Sequence, residues 1–132
     1  MAVSENFSIP IPDGYRVFFR EMEVAGISFR RKQAINAFSG KQVIIISLEK
    51  EPSNKHDKNA IKIIVTKKGL FRSKKLHIGY VPREVAEVIS KIEVTGKLLP
   101  RLTNAWVGDE GGVSVRFDIL GPKSEYSVIK NI

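Results

Sequence analysis

A polar segment between two apolar runs carries the side chains of this chain that are best suited to chemistry. The segment, residues 51–61, reads EPSNKHDKNAI and supplies carboxylate, amide, imidazole and ammonium groups. Pro52 fixes φ and opens a turn, and the side chains of Asn54 and Asp57 can hydrogen-bond nearby backbone amides. A simple hairpin needs only about two to five connecting residues, commonly with a glycine, and this segment has no glycine. We therefore expect a binding loop that side chains shape on a rigid β scaffold.

No arrangement of residues in the sequence predicts catalysis or a metal site. His56 and Asp57 are adjacent, adjacent loop residues rarely converge on one ion, and no third ligand has suitable spacing. His77 falls within a predicted strand and is interpreted as a structural side chain. The chain lacks glycine-rich phosphate loops, a GxSxG elbow and cysteine. We predict a protein that is not an enzyme, with no catalytic residue, metal or cofactor; a nuclease using Asn54, His56 and Asp57 is the less favoured alternative.

The distribution of charge favours an anionic partner. The chain has 22 Lys+Arg against 14 Asp+Glu, a net charge of +8. Residues 24–48 and 58–83 contain no acidic residue and hold 12 of the 22 basic ones. These are Arg30, Arg31, Lys32, Lys41, Lys58, Lys62, Lys67, Lys68, Arg72, Lys74, Lys75 and Arg83. If the two segments share a face, they form a positive patch suited to phosphates. The alternative is the ordinary solvated surface of a basic protein, which charge alone favours equally.

The hydrophobic pattern predicts a mostly β protein with one main helix. Strands are expected at residues 20–28, 42–49, 60–67, 75–80, 98–107 and 113–120. Two helical turns at Arg31–Phe38 would be closed by Gly40. The main helix has Pro82 in its first turn and Glu84 at its N-terminal end, and Gly96 ends it or its exit loop. Six short strands with one main helix predict a small, partly open barrel.

One domain is expected for a chain of 132 residues, which can bury roughly two thirds of the surface that its unfolded form exposes. Residues 1–19 are predicted to form an N-terminal arm, residues 20–122 the domain, and residues 123–132 a tail. Apolar runs of four or five residues are far shorter than the ~20 residues that cross a bilayer. The lack of cysteine and of an N-terminal signal pattern fits a cytoplasmic protein without membrane contacts.

Two glycines and one aromatic residue have predicted roles near the basic segments. Gly69 is expected at the tip of a basic hairpin, residues 67–75, and Gly79 at a bulge or a close backbone approach. Phe29 stands directly before three consecutive bases at the end of the first predicted strand. In single-strand nucleic-acid grooves, such a ring stacks on a base while the cations follow the phosphates. The alternative places Phe29 in the hydrophobic core.

Three segments, in this order, resemble the HIRAN domain, a module found alone in bacteria and fused to fork-remodelling helicase-like ATPases in eukaryotes. They are residues 24–27 (VAGI), 51–61 (EPSNKHDKNAI) and 78–84 (IGYVPRE). The proline, asparagine, aspartate and alanine of the middle segment are the specific part of the match. The resemblance covers residues 20–122 and identifies the chain as similar to the stand-alone bacterial type. It implies an OB-like β-barrel that binds single-stranded DNA, captures a free 3′ end and performs no catalysis.

The resemblance also implies a role for each matching position. Asp57 would accept a hydrogen bond from the terminal 3′-hydroxyl, and Asn54 would lie near the same nucleotide. Phe29 and His56 would place rings against the terminal bases, and Arg83 would lie near the phosphate. The alternative for Asp57 is a turn cap that accepts the backbone amide of residue 59 or 60.

Some positions depart from the family pattern. Arg30 stands where an aromatic residue is familiar in eukaryotic members, and Tyr80 where another polar ring can occur. The later strands offer Trp106 and Phe117 as further stacking rings, although core positions are favoured for both. The predicted DNA-binding set is Phe29, Arg30, Arg31, Lys32, Asn54, His56, Asp57, Lys58, Tyr80 and Arg83.

The functional hypothesis is a module for single-stranded DNA with a free 3′-hydroxyl end, acting at replication forks or in DNA repair with a helicase or nuclease as partner. The alternative is a protein–protein adaptor that recruits a helicase or nuclease without reading DNA ends itself.

Overall fold

Seven strands and three short helices build the part of the chain that the computed structural model describes, residues 3–40, 43–94 and 97–130. The strands are β1 (Val3–Asn6), β2 (Tyr15–Glu23), β3 (Val43–Lys50), β4 (Ile61–Lys68), β5 (Ser73–Tyr80), β6 (Leu99–Val107) and β7 (Val113–Pro122). The α-helices are α1 (Arg31–Phe38), α2 (Arg83–Lys91) and α3 (Ser127–Lys130), with 3-10 helices at Ile27–Arg30 and Lys123–Glu125.

The strands form two antiparallel sheets, in the orders β1-β6-β7-β2 and β3-β4-β5. The prediction of a mostly β protein is confirmed. The sheets do not close into a barrel, so the predicted six-stranded, OB-like barrel is not confirmed. The sequence reading missed β1, which is only four residues long and pairs with β6 about a hundred residues further on. A strand this short shows too little alternation to stand out from its loop-like surroundings.

The hydrophobic core joins both sheets and the two longer helices. Its side chains come mainly from the middle strands β4 and β7, including Ile63, Val65 and Ile119, and from α1 and α2. Phe117 is fully buried among them, as favoured from the sequence. Trp106 is 40 % exposed, so the core position favoured for it is wrong. Its ring lies over Gly108 and Gly112 in the β6–β7 turn, where the lack of side chains leaves room for it.

The first predicted strand ends earlier than expected. Residues 20–28 were expected to be extended, but β2 ends at Glu23 and the chain turns at Gly26, whose φ of +70° is a left-handed conformation that favours glycine. The 3-10 helix Ile27–Arg30 follows and leads directly into α1. This turn, rather than a strand end, therefore positions Phe29.

Helix α1 confirms the predicted turns at Arg31–Phe38, and Gly40 has the positive φ expected just past a helix. Lys67 of β4 secures its end by donating hydrogen bonds to the Asn36 carbonyl (2.6 Å) and the Ser39 carbonyl (3.2 Å). A cation at a helix C-terminus stabilises the last carbonyl groups. Lys67 is consequently buried and does not belong to the basic surface predicted from the sequence.

The segments predicted as an arm and a tail both contain secondary structure among their described residues. The segment predicted as an arm, residues 1–19, contains β1 and the first half of β2. Within the predicted tail, Tyr126 packs its ring 5.7 Å from the ring of Phe18 and lies beneath the guanidinium of Arg16. The predicted strand start at residue 42 and the predicted helix or loop end at Gly96 lie outside the described residues.

Candidate nucleic-acid interface

A close backbone contact joins the end of β5 to the segment before the 3-10 helix Ile27–Arg30. Ala25 and Tyr80 exchange two backbone hydrogen bonds of 2.8 and 2.9 Å. A side chain on Gly79 would place its Cβ 2.5 Å from the Ala25 carbonyl oxygen, so only glycine allows this approach. The register of β4 and β5 also shifts here, between Ile63 and Ile64. Both roles predicted for Gly79, a bulge and a close approach, are confirmed.

Aromatic and cationic groups gather where that contact is made. The Arg30 guanidinium lies 6.0 Å from the centre of the Tyr80 ring, and the His77 ring meets Tyr80 edge-on at 4.9 Å. Phe29, one residue before Arg30, is 91 % exposed. The alternative that placed Phe29 in the core is therefore wrong, and its ring is available to a ligand.

His77 has the structural role predicted from the sequence. Its Nε2 lies 2.9 Å from the Gly79 carbonyl oxygen, an acceptor, so Nε2 carries the proton and donates. Burial, and then the positive charge of Arg30, lower the pKa of His77 from its ordinary value of 6.5. The imidazole is therefore neutral at pH 7 and helps to fix the bulge beside Tyr80.

The polar segment 51–60 is a loop that its own side chains hold in shape, as predicted. The Asn54 Oδ1 accepts hydrogen bonds from the backbone amides of His56 (2.9 Å) and Asp57 (3.0 Å). Its Nδ2 donates to Glu51 Oε1 at 2.7 Å. The Asn54 amide thus holds the loop in shape and positions its neighbours.

Glu51 links this loop to the aromatic cluster, a role that the sequence reading missed. Its Oε1 accepts a hydrogen bond of 2.9 Å from the Tyr80 hydroxyl, and Lys62 Nζ lies 3.6 Å from Oε2. Hydrogen bonds from Asn54 and Tyr80 lower the pKa of Glu51. Its place at the head of the polar segment was a signal, but a lone carboxylate does not reveal which distant hydroxyl it meets.

Asp57 lies in a cleft between the loop and α2. Its Oδ1 accepts the backbone amide of Asn59 at 2.9 Å, so the turn-capping contact considered as an alternative is present. Within the described ranges, no hydrogen bond engages the second oxygen, Oδ2. The residues that line the cleft are His56, Asp57, Lys58, Asn59, Arg83 and Glu87. The cleft thus combines acceptors and cations within reach of one small polar group.

The remaining predicted site residues are distributed around these two features. His56, Lys58 and Arg83 are exposed at the cleft, and Lys32 is exposed on α1. Arg31 is exposed as well, but its guanidinium lies against Gly111 in the β6–β7 turn. The structure thus places Arg30 near Tyr80, directly after the exposed Phe29, and gathers Asp57 and Arg83 at one cleft, whereas Arg31 contacts a different turn.

The described residues, 3–40, 43–94 and 97–130, contain no helix long and apolar enough to cross a membrane. They also contain no group of three or more histidine, cysteine, aspartate or glutamate side chains that could hold a metal ion.

Comparisons with known proteins identify the family of this arrangement. Neither the curated proteins nor the solved structures contain a match to the chain. The family model of the HIRAN domain matches residues 19–105, about two thirds of the 132 residues. The matched range includes the Ile27–Arg30 turn, the 51–60 loop, Tyr80 and the first turn of α2. This chain belongs to the HIRAN domain family, a family of DNA-binding domains.

Proposed function

We propose that this protein binds single-stranded DNA and recognises a free 3′-hydroxyl end. The observation that carries the proposal is the convergence of two different surfaces on Tyr80. On one side, the Ala25–Tyr80 backbone pair holds the turn that carries the exposed ring of Phe29 and that brings Arg30 near Tyr80. On the other side, the Tyr80 hydroxyl reaches the loop that carries Asp57 through Glu51.

The first surface has the chemistry of a single-strand platform. The Phe29 ring presents an apolar face to solvent, and every nucleobase has a flat face that can stack on such a ring. Arg30 and Lys32 follow this ring closely in the chain, and their charges attract the phosphates of a bound strand. Stacking of this kind tolerates different bases, so we expect little sequence preference.

The second surface has the chemistry of an end reader. A carboxylate such as Asp57 repels phosphate, which makes it unfavourable inside a strand-binding groove. A terminal hydroxyl instead donates a charge-assisted hydrogen bond to it. With Oδ1 occupied by the Asn59 amide, Oδ2 is the oxygen suited to accept that hydrogen. Arg83 lines the same cleft and is suited to the last phosphate, whereas Glu87 adds repulsion against a 3′-phosphate.

A fluorescence titration with 3′-hydroxyl and 3′-phosphate oligonucleotides tests this proposal. The wild type should prefer the hydroxyl end by about 1.5–3 kcal/mol, the usual value of a hydrogen bond to a charged group. This corresponds to about a 12- to 140-fold difference in Kd. Asp57→Asn retains an acceptor for the Asn59 amide but removes the charge. It should bind the phosphate end better than the wild type does and the hydroxyl end less well.

Glu87→Gln is the matched control, because Glu87 lines the same cleft and the change removes one charge there. The control should still prefer the hydroxyl end, since the acceptor at Asp57 is intact. If Asp57→Asn weakens both strands equally, or the wild type does not distinguish them, Asp57 is a turn residue only and the chain does not read ends.

The same family resemblance supports a setting for this activity. We propose that the protein acts in the cytoplasm on DNA ends exposed at replication forks or during repair, with a helicase or nuclease as partner and without catalysis of its own. Oligonucleotide binding by the isolated chain separates this role from that of an adaptor that recruits such a partner through protein contacts alone. Degradation of the oligonucleotide in the presence of a divalent metal would contradict the absence of catalysis.

A further inference from the structure

The tip of the β4–β5 hairpin presents two apolar side chains to solvent at the end remote from Tyr80. Leu70 is 96 % exposed and Phe71 is 97 % exposed, more than any other large apolar side chain among the described residues. The Gly69 amide donates a 3.0 Å hydrogen bond to the Arg72 carbonyl and closes the turn beneath them. The two side chains are therefore held outward by a formed hairpin turn.

Cations surround this apolar tip. Exposed basic side chains stand on both sides of it in the chain: Lys68, Arg72, Lys74 and Lys75. No acidic residue occurs anywhere between residues 58 and 83. An exposed aromatic ring among several cations combines stacking with attraction to phosphates, the two components of single-strand binding. The tip therefore offers a DNA strand both positive charge and a ring on which a base can stack.

The hairpin also connects the tip to the proposed DNA site. β5 runs from Ser73 beside the tip to Tyr80 in the aromatic cluster, which is seven steps of about 3.3 Å, or roughly 23 Å. A stacked strand rises about 3.4 Å per nucleotide, so the distance corresponds to about seven nucleotides and to fewer in a stretched strand. A single strand that is held by its 3′ end at Asp57 and passes Tyr80 is thus long enough to reach the tip once it extends about this far beyond Tyr80.

We infer that the hairpin tip is a second contact for the same DNA strand, in which Phe71 stacks on a base several nucleotides from the 3′ end and the flanking cations bind phosphates. This inference rests on the proposed function and extends it with a length requirement. Two linked contacts raise affinity beyond either alone, because the second forms at the high effective concentration set by the first. Long strands should therefore bind more tightly than short ones.

Titrations with two strand lengths test this inference. One 3′-hydroxyl oligonucleotide of about four nucleotides is too short to reach the tip, and another of about twelve is long enough. Phe71→Ala should leave binding of the short strand unchanged and weaken binding of the long strand by about 5- to 140-fold, the fold-change that corresponds to loss of one stacked base. Phe71 is almost fully exposed, so the melting temperature should not change.

Two conservative variants identify the chemistry. Phe71→Tyr keeps the ring and should bind the long strand as the wild type does. Phe71→Leu keeps an apolar side chain without a ring and should bind the long strand as weakly as Phe71→Ala.

A basic tip with exposed apolar side chains could instead bind a membrane surface, and sedimentation with anionic lipid vesicles tests this alternative. If the wild type and Phe71→Leu bind vesicles while the Phe71 variants bind long DNA normally, the tip is a membrane contact and the inference is overturned.

The titrations with short and long strands distinguish a failure of this inference from a failure of the proposed function. If the wild type binds short and long hydroxyl-ended strands and Phe71→Ala matches it on both, the inference alone fails. Equal losses on both lengths would also overturn it, because the short strand cannot reach Phe71. If the wild type binds no strand, the proposed function fails and this inference fails with it.

Discussion

Replacing Phe29 with alanine separates a role in binding from a role in folding at the Ile27–Arg30 turn. The ring is held outside the core, one residue before the arginine that approaches Tyr80. If bases stack on it, the substitution removes a contact that exists only in the DNA complex. We therefore expect weaker binding with no comparable loss of stability.

The exposure of the ring sets the size of both effects. Phe29 is 91 % exposed, so only about 20 Å² of the roughly 200 Å² of a phenylalanine side chain is buried. At about 25 cal/mol per Å², its removal should lower the free energy of unfolding by only ~0.5 kcal/mol. A core phenylalanine would cost about 3–5 kcal/mol. Loss of a stacked base should cost about 1–3 kcal/mol of binding, or roughly a 5- to 140-fold rise in Kd.

The assay pairs thermal melting with a fluorescence titration on one 3′-hydroxyl oligonucleotide. Phe29→Tyr serves as the control, since it retains an aromatic ring at the same position and should retain affinity. An unchanged Kd for Phe29→Ala would show that no base stacks there. A large drop in melting temperature would instead show that the ring supports the fold, contrary to its exposure in the structure.

Three further predictions concern the charges and the backbone of the site. With three to five cations in contact with phosphate, log affinity should fall with log salt at a slope of roughly −2 to −3.5, and a flat response in the titration would exclude the basic surface as the DNA footprint. Because the pKa of His77 is lowered in the folded state, the unfolded chain takes up a proton first as the pH falls. The free energy of unfolding should therefore keep its full value above pH 6.5 and decrease as the pH falls from 6.5 toward the folded-state pKa. Melting curves across this range should show a smaller decrease for His77→Gln. Gly79→Ala should lower the free energy of unfolding by about 1–3 kcal/mol and weaken DNA binding, because its Cβ would force Ala25 away from Tyr80; wild-type melting and affinity would contradict the close approach.

Local chemistry made the 51–60 loop predictable. Asparagine and aspartate side chains reach backbone amides only two or three residues away, so Asn54 and Asp57 shape the turn whatever the rest of the chain does. The β-branched segments of β3 and β4 and the helical spacing in α1 are local signals of the same kind. Their positions were accordingly close to those of the structure.

The errors occur where the folded chain gives a side chain a contact that its local pattern does not predict. Lys67 reads as one more surface cation, but the end of α1 lies over it and its ammonium is used as a cap. Trp106 reads as a core aromatic, but the glycines of the β6–β7 turn make room for its ring at the surface. Asn36 and Ser39 stand 31 and 28 positions before Lys67, beyond a local sequence window, whereas Gly108 and Gly112 lie close to Trp106 in the chain and only the folded turn shows that its ring lies over them.

The sequence by itself determined strands β3 to β7, the two helical turns of α1, the shape of the loop and the family to which the loop motif belongs, since these depend on neighbours along the chain. The tertiary structure alone decided that Tyr80 meets both Ala25 and Glu51, and that Phe29 is exposed beside them. Those contacts join residues 55 and 29 positions apart. They depend on sheet register and on the turn at Gly26, which are fixed only when the whole core packs.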